Sequence, residues 1–124
     1  MLTYLALGDS YTIGEQVPYE ANFPNVLVQQ LNALGMPCAA PVIIATTGWT
    51  TDELAAAIRE RALQEQFSFV SLLIGVNNQY RGRLASEYAV EFESLLQQAI
   101  AFAKGKANHV FVLSIPDWGV TPFA

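Results

Sequence analysis

The sequence predicts a three-layer α/β fold organised on a parallel, doubly wound sheet, and three observations carry the prediction. Four short apolar runs, at residues 3–7, 41–45, 67–74 and 109–114, alternate with three stretches of helical periodicity. A β-α-β-α-β-α-β order implies parallel strands joined by right-handed crossovers, with helices on both faces. The runs are nearly continuous in Leu, Ile, Val, Phe and Ala, the pattern of strands covered on both sides. Each run also closes in small or polar residues: Gly8-Asp9-Ser10, Thr46-Thr47-Gly48, Gly75-Val76-Asn77-Asn78 and Ser114-Ile115-Pro116-Asp117. In an open parallel sheet these four loops share the carboxyl edge, where such sheets bind ligands.

Taken in order, residues 3–7 read as the first strand. Across 22–34, Phe23, Leu27, Leu31 and Leu34 recur on one helical face, with Asn22 as N-cap and Gly35 as the stop. Val42, Ile43 and Ile44 give the second strand its β-branched character. Thr50-Thr51-Asp52-Glu53 fits a capping box, and Leu54, Ile58 and Ala62 continue the helix it opens. Residues 67–74 form the third strand. A long amphipathic helix follows, carried by Tyr88, Phe92, Leu95, Leu96, Ala99, Ile100 and Ala103, opened by Ser86 and closed at Lys104 and Gly105. Residues 109–114 form the fourth strand, and no further helical stretch follows it.

The 124 residues read as a single domain, 1–124, since one core commonly occupies about 100–150 residues. Hydrophobic residues reach 52 % and charged residues only 14 %, against about 25 % charged in an average domain. Two explanations fit this apolar balance: a sheet buried on both faces, or apolar surface that meets something outside these residues. The net charge of −5, with six Lys and Arg spread along the chain, argues against a nucleic-acid partner, which needs a clustered basic footprint. The longest apolar stretch, 67–76, is about half the length of a membrane span. No basic segment precedes the first apolar run, so no signal peptide is read, and the single Cys38 suits a reducing compartment. The expected location is cytoplasmic. One cysteine and one histidine supply no metal cluster, and no cofactor is implied.

The three Gly-containing loops resemble the blocks of the GDSL or SGNH hydrolases, serine esterases and acylhydrolases on a flavodoxin-like three-layer αβα sheet. Gly8-Asp9-Ser10 is similar to the first block, whose serine is the nucleophile; Gly48 to the second, whose backbone N–H holds the oxyanion; and Gly75-Val76-Asn77-Asn78 to a Gly-x-Asn-Asp block, whose asparagine is another oxyanion donor. The order and spacing match over residues 4–117. The resemblance implies a serine ester hydrolase, of lipolytic or carbohydrate-esterase type, acting on a small-molecule ester. Ser10 attacks the carbonyl, and the backbone N–H groups of Ser10 and Gly48 and the Asn77 amide form the oxyanion hole, each donor worth roughly 3–4 kcal/mol of barrier. Asp9 and Asn78 are supporting candidates; Asn78 stands where the family has an aspartate.

A serine hydroxyl needs a base, and the family's C-terminal Asp-x-x-His block has no counterpart in these residues. His109 opens the fourth strand, roughly 16 Å from the edge that carries Ser10, and reads as a turn or strand-start residue. Asp117 lies at the correct edge but is a weak base at its ordinary pKa, and is read as ordering its loop. The expectation is therefore an N-terminal portion of a longer hydrolase. Its apolar excess would leave surface exposed, giving low stability and a tendency to homo-oligomerise.

Plainer readings stand beside these. Gly8-Asp9-Ser10, Gly48 and Gly75 could be turns, and Asn77 a turn cap. Trp49, Tyr80 and Phe123 could line an acyl pocket, with packing the favoured role. Arg81 and Arg83 suit a solvated loop better than an anion site, and Cys38 suits a buried small hydrophobe. Two other function classes compete. One is a non-catalytic fragment or scaffold that keeps the fold; the other is a flavodoxin-like phosphate-binding module, disfavoured by the lack of a Gly-x-Gly-x-x-Gly or Walker-type loop.

Overall fold

Strand β1 (Tyr4–Gly8) is buried along its whole length and hydrogen-bonded on both edges. The computed structural model of the chain describes residues 1–9, 12, 18–46, 49–74 and 85–113. On one side of β1 lies β2 (Val42–Ala45), with Leu5 opposite Val42 and Gly8 opposite Ala45. On the other lies β3 (Phe69–Leu73), with Tyr4 opposite Phe69 and Gly8 opposite Leu73. Beyond β3, β4 (Val110–Val112) pairs through Val70 and Val110. The sheet is all parallel, in the order β2-β1-β3-β4. This is the flavodoxin-like order, whose ligand crevice falls where the winding reverses, between β1 and β3.

The expected helices form, with local chemistry that explains their ends. In α1 (Phe23–Ala33) the Asn22 Oδ1 accepts from the Asn25 N–H at 3.1 Å, Pro24 sits in the first turn, and Gly35 turns the chain at φ +81°. In α2 (Thr51–Arg61) the Thr50 N–H donates to Glu53 Oε1 at 3.0 Å and the Thr50 hydroxyl donates to the same oxygen at 2.9 Å. Glu53 thus supplies the backward arm of the capping box. This helix stops one residue earlier than its periodicity predicts, because Ala62 takes a left-handed conformation at φ +46°. Helix α3 (Ala85–Phe102) ends in Lys104 and Gly105, both at positive φ.

Strand β3 is shorter than its apolar run. The Phe67 N–H donates to the Phe102 carbonyl at 2.7 Å and the Ser68 N–H to the Thr3 carbonyl at 3.0 Å, so these two residues tie α3 and the start of β1 to the sheet. Single 3-10 turns at Tyr19–Ala21 and Ala107–His109 have no counterpart in the sequence reading. The expected end of the fourth strand at Ser114 lies outside the described residues.

Strand alternation divides the core in two. Leu5, Leu7, Ile44, Val70, Leu72 and Ile74 face α2 and α3, where they meet Leu54, Ile58, Leu95 and Ala99. Tyr4 and Ala6 face α1, packing with Val28 and Cys38 and with partly buried Leu27, Leu31, Ile43 and Phe69. Each fully buried Leu or Ile contributes about 1.5–3 kcal/mol relative to exposure. Among the described residues the two faces are unequally covered, by two helices and by one. Beside α1, over β3 and β4, an apolar groove of about 760 Å³ is lined by Tyr4, Leu27, Leu31, Phe69, Phe111 and Leu113. At its outer side Phe111 is 54 % exposed. Both explanations of the apolar composition therefore have a place in the fold. Among the described residues, no helix is long and apolar enough to cross a membrane.

Tyr4 anchors the smaller core. Its ring stacks on Phe69 with centroids 4.5 Å apart, and its hydroxyl shares a 2.6 Å hydrogen bond with Ser71 Oγ. Burial pushes its pKa from 10.0 up to about 12, although the Ser71 hydrogen bond works in the opposite direction. The folded pKa lies above the unfolded one, so this contribution to stability is complete below pH 10 and is lost as pH rises towards 12. Urea midpoints are expected to fall more steeply across that window in the wild type than in Tyr4→Phe. Parallel curves for the two proteins would contradict this assignment.

Candidate active site

The candidate site begins with the geometry at the end of β1. Gly8 lies opposite both Ala45 and Leu73, at the crevice where the winding reverses. A Cβ there would be driven into Thr12 Oγ1 and would stand 2.7 Å from the Leu73 carbonyl oxygen. Glycine is required because Thr12 packs back against the strand end, where its N–H donates to the Asp9 carbonyl at 3.0 Å. Asp9 is 1 % exposed and Thr12 is wholly buried. Ser10 and Tyr11, between them in sequence, lie outside the described residues.

The other approaches reach the same edge. Ala45 ends β2, and the Trp49 N–H donates to the Thr46 carbonyl at 3.3 Å across positions 47 and 48. Trp49 itself packs against the larger core, which is the packing role favoured for it. Ile74, 1 % exposed, follows β3 and leads towards Gly75. The structure thus brings together the residues that flank the three expected blocks. Gly48, Asn77 and Asn78 lie outside the described residues, as do Tyr80, Arg81, Arg83, Asp117 and Phe123.

Two candidates fall elsewhere. His109 closes the 3-10 turn before β4, and its Nδ1 lies 3.0 Å from the Ser68 carbonyl oxygen. The register of β4 on β3 and of β3 on β1 sets it level with Phe69 and Tyr4, at the amino edge, about 13 Å of strand away from Gly8. Its role is the strand-start one. Cys38 is buried, bridges to Leu2 at that same amino edge, and has its thiol pKa raised by burial, as suits a packed rather than a reactive thiol. Among the described residues no cluster of three or more His, Cys, Asp or Glu could hold a metal ion.

Two polar links escape the sequence reading, which treats Tyr88 only as a core-facing helix residue. The Tyr88 hydroxyl donates to the Ile74 carbonyl at 3.0 Å, and the Thr51 hydroxyl donates to Glu91 Oε2 at 2.6 Å. Burial raises the pKa of Tyr88, and the charge of Asp9 adds to the effect. A tyrosine on an otherwise apolar stripe is the available signal, since a buried phenol seeks a partner. The Thr51–Glu91 pair spans 40 residues and has no local signature.

Because the Gly8 contact is with backbone as well as with Thr12, it cannot be relieved by one side-chain rotation. Gly8→Ala is expected to destabilise the fold by about 1–3 kcal/mol, and Thr12→Ala in the same chain to recover only part of that loss. Chemical denaturation of the three proteins measures it; a neutral Gly8→Ala would show that the strand end is looser than described.

The sequence matches the model of the GDSL-like Lipase/Acylhydrolase family over residues 6–124. No curated protein matches it. Among solved structures, the fold is similar to that of AlinE4, described as an SGNH-hydrolase family esterase, with TM-score 0.77 and 18 % identity, covering 92 % of this chain and 59 % of that one. It is similar to TesA, with TM-score 0.78, 23 % identity and coverage of 91 % and 60 %. A variant of Axe2, described as an acetyl-xylooligosaccharide esterase from Geobacillus, gives TM-score 0.70, 21 % identity and coverage of 90 % and 58 %. The chain therefore spans about three-fifths of the length of these proteins, and at such identities the likeness is one of fold. With the family model matched from the middle of β1 onward, the chain belongs to the GDSL-like lipase/acylhydrolase family.

Proposed function

We propose that this chain carries the nucleophile and oxyanion half of a serine ester hydrolase acting on a small-molecule ester. The observation that supports it most is positional: Gly8 and Asp9 end the doubly buried central strand at the crevice between β1 and β3, and Ser10 is the next residue. Esterase neighbours of the same fold point the same way. Ser10 Oγ attacks the ester carbonyl carbon while its proton passes to a base. The carbonyl oxygen takes up the negative charge and is met by the N–H groups of Ser10 and Gly48 and by the Asn77 amide. The C–O bond to the alcohol then breaks, and water later hydrolyses the acyl-serine. Asp9 and Asn78 support the loops from which these groups come.

The proton acceptor is the missing part. The one histidine in the sequence stands at the opposite edge of the sheet, outside the reach of a general base. That observation favours a second reading, a chain that keeps the fold and the nucleophile but turns over slowly by itself. With p-nitrophenyl acetate, a Ser10-dependent release of at most about one equivalent of p-nitrophenol is expected, with slow turnover after it. Release that is identical in Ser10→Ala would contradict the assignment of Ser10.

We further propose that the protein is cytoplasmic, in keeping with its single Cys38, and that its single domain self-associates through its less covered face. Phe111 and Leu113 line the apolar groove there and are exposed. Size-exclusion chromatography is expected to show concentration-dependent association that Phe111→Glu reduces. A monomer at every concentration would contradict it.

A further inference from the structure

We infer that Tyr88 and Glu91 of α3 are positioning residues for Gly48 and Asn77, the two proposed oxyanion donors other than Ser10. The inference rests on the proposed acyl-transfer site and extends it to a helix that carries none of the family blocks. Tyr88 and Glu91 are three residues apart and so project from the same side of α3. The Tyr88 hydroxyl donates to the Ile74 carbonyl at 3.0 Å, and Asn77 follows Ile74 by three residues. Glu91 Oε2 accepts from the Thr51 hydroxyl at 2.6 Å, and Gly48 precedes Thr51 by three residues. One turn of one helix therefore holds the exit of β3 and the start of α2, the described ends nearest to both donors.

The anchors are themselves well held. Thr51 is fully buried, as is the Thr50 that caps the same helix, and Ile74 is 1 % exposed. The Tyr88 ring rests against Phe92 at 5.5 Å, and Phe92 packs on the larger core. Asp9, at the exit of β1, adds its charge to the burial that keeps the Tyr88 phenol protonated. A protonated phenol is what the bond to the Ile74 carbonyl needs, since it must donate. Oxyanion donors act only when fixed before the charge develops, and small misplacements at a reacting centre cost rate out of proportion to stability. Removing the Tyr88 hydroxyl frees the Ile74 carbonyl to shift while leaving the ring packing in place.

The test is inactivation by an alkyl fluorophosphonate, followed by mass spectrometry. Ser10 Oγ forms a bond to phosphorus, fluoride leaves with the P–F electron pair, and the serine proton passes to water. In Tyr88→Phe the limiting inactivation rate is expected to fall roughly tenfold with the half-saturating reagent concentration unchanged. Glu91→Ala is expected to lower that rate and Glu91→Gln, whose amide oxygen can still accept from Thr51, to restore it. Tyr4→Phe removes a buried hydroxyl from the opposite face of the sheet. It is expected to lose stability and keep the wild-type rate. Equal rates in wild type and Tyr88→Phe, or a loss in Tyr4→Phe as large as that in Tyr88→Phe, would overturn the inference alone. A wild-type chain that takes no label on Ser10 would overturn the acyl-transfer reading, and this inference with it.

Discussion

The structure depends on the complete desolvation of β1. Every residue of Tyr4–Gly8 is buried, so each backbone N–H and C=O must find its partner in a neighbouring strand, and β2 and β3 supply them in parallel. Leu5 and Leu7 then need cover on one face and Tyr4 and Ala6 on the other, which recruits α2 and α3 to one side and α1 to the other. A strand held on four sides has a fixed end. At that end Gly8 admits Thr12 and the Leu73 carbonyl into the space a side chain would fill, and the proposed nucleophile, Ser10, is two residues on in the sequence.

Much of this is written in local pattern. The Asn22 cap, the Thr50–Glu53 box and the glycine stops after α1 and α3 act within a few residues, so the three helices are legible from the chain alone. So are the four strands, because their apolar runs have no competing helical period. What is not legible depends on tertiary geometry. The end of α2 has no glycine, and Ala62 takes the left-handed conformation that glycine usually supplies. Phe67 and Ser68 look like strand, yet their N–H groups bond to α3 and to Thr3 instead of the ladder. Of the candidate site, Ser10, Gly48 and Asn77 are read from blocks placed after strands, while Thr12, Tyr88 and Glu91, which contact its described flanks, become visible only once the crossovers are closed. Their partners are fixed by how α3 lies on the sheet, which no local spacing encodes.

The unequal faces and the unequal edges of the sheet describe the same division of labour. The carboxyl edge holds Gly8, the buried Asp9 and the bonds from α3, while the amino edge holds His109 and Cys38 in structural roles. The apolar groove beside α1 is lined by strand bodies, α1 and the turn after α3, not by the residues that flank the three blocks. Leu113, which follows β4 and whose N–H donates to the Leu72 carbonyl at 3.0 Å, carries the groove towards the carboxyl edge.

The loops after β1, β2 and β3 are proposed to meet at one developing oxyanion, and a crystal structure of the chain carrying a phosphonate on Ser10 decides the matter. A non-bridging phosphoryl oxygen is expected within about 2.7–3.1 Å of the Ser10 and Gly48 nitrogens and the Asn77 amide nitrogen together. A phosphoryl oxygen turned to solvent, with Gly48 and Asn77 engaged in turns of their own, would contradict it.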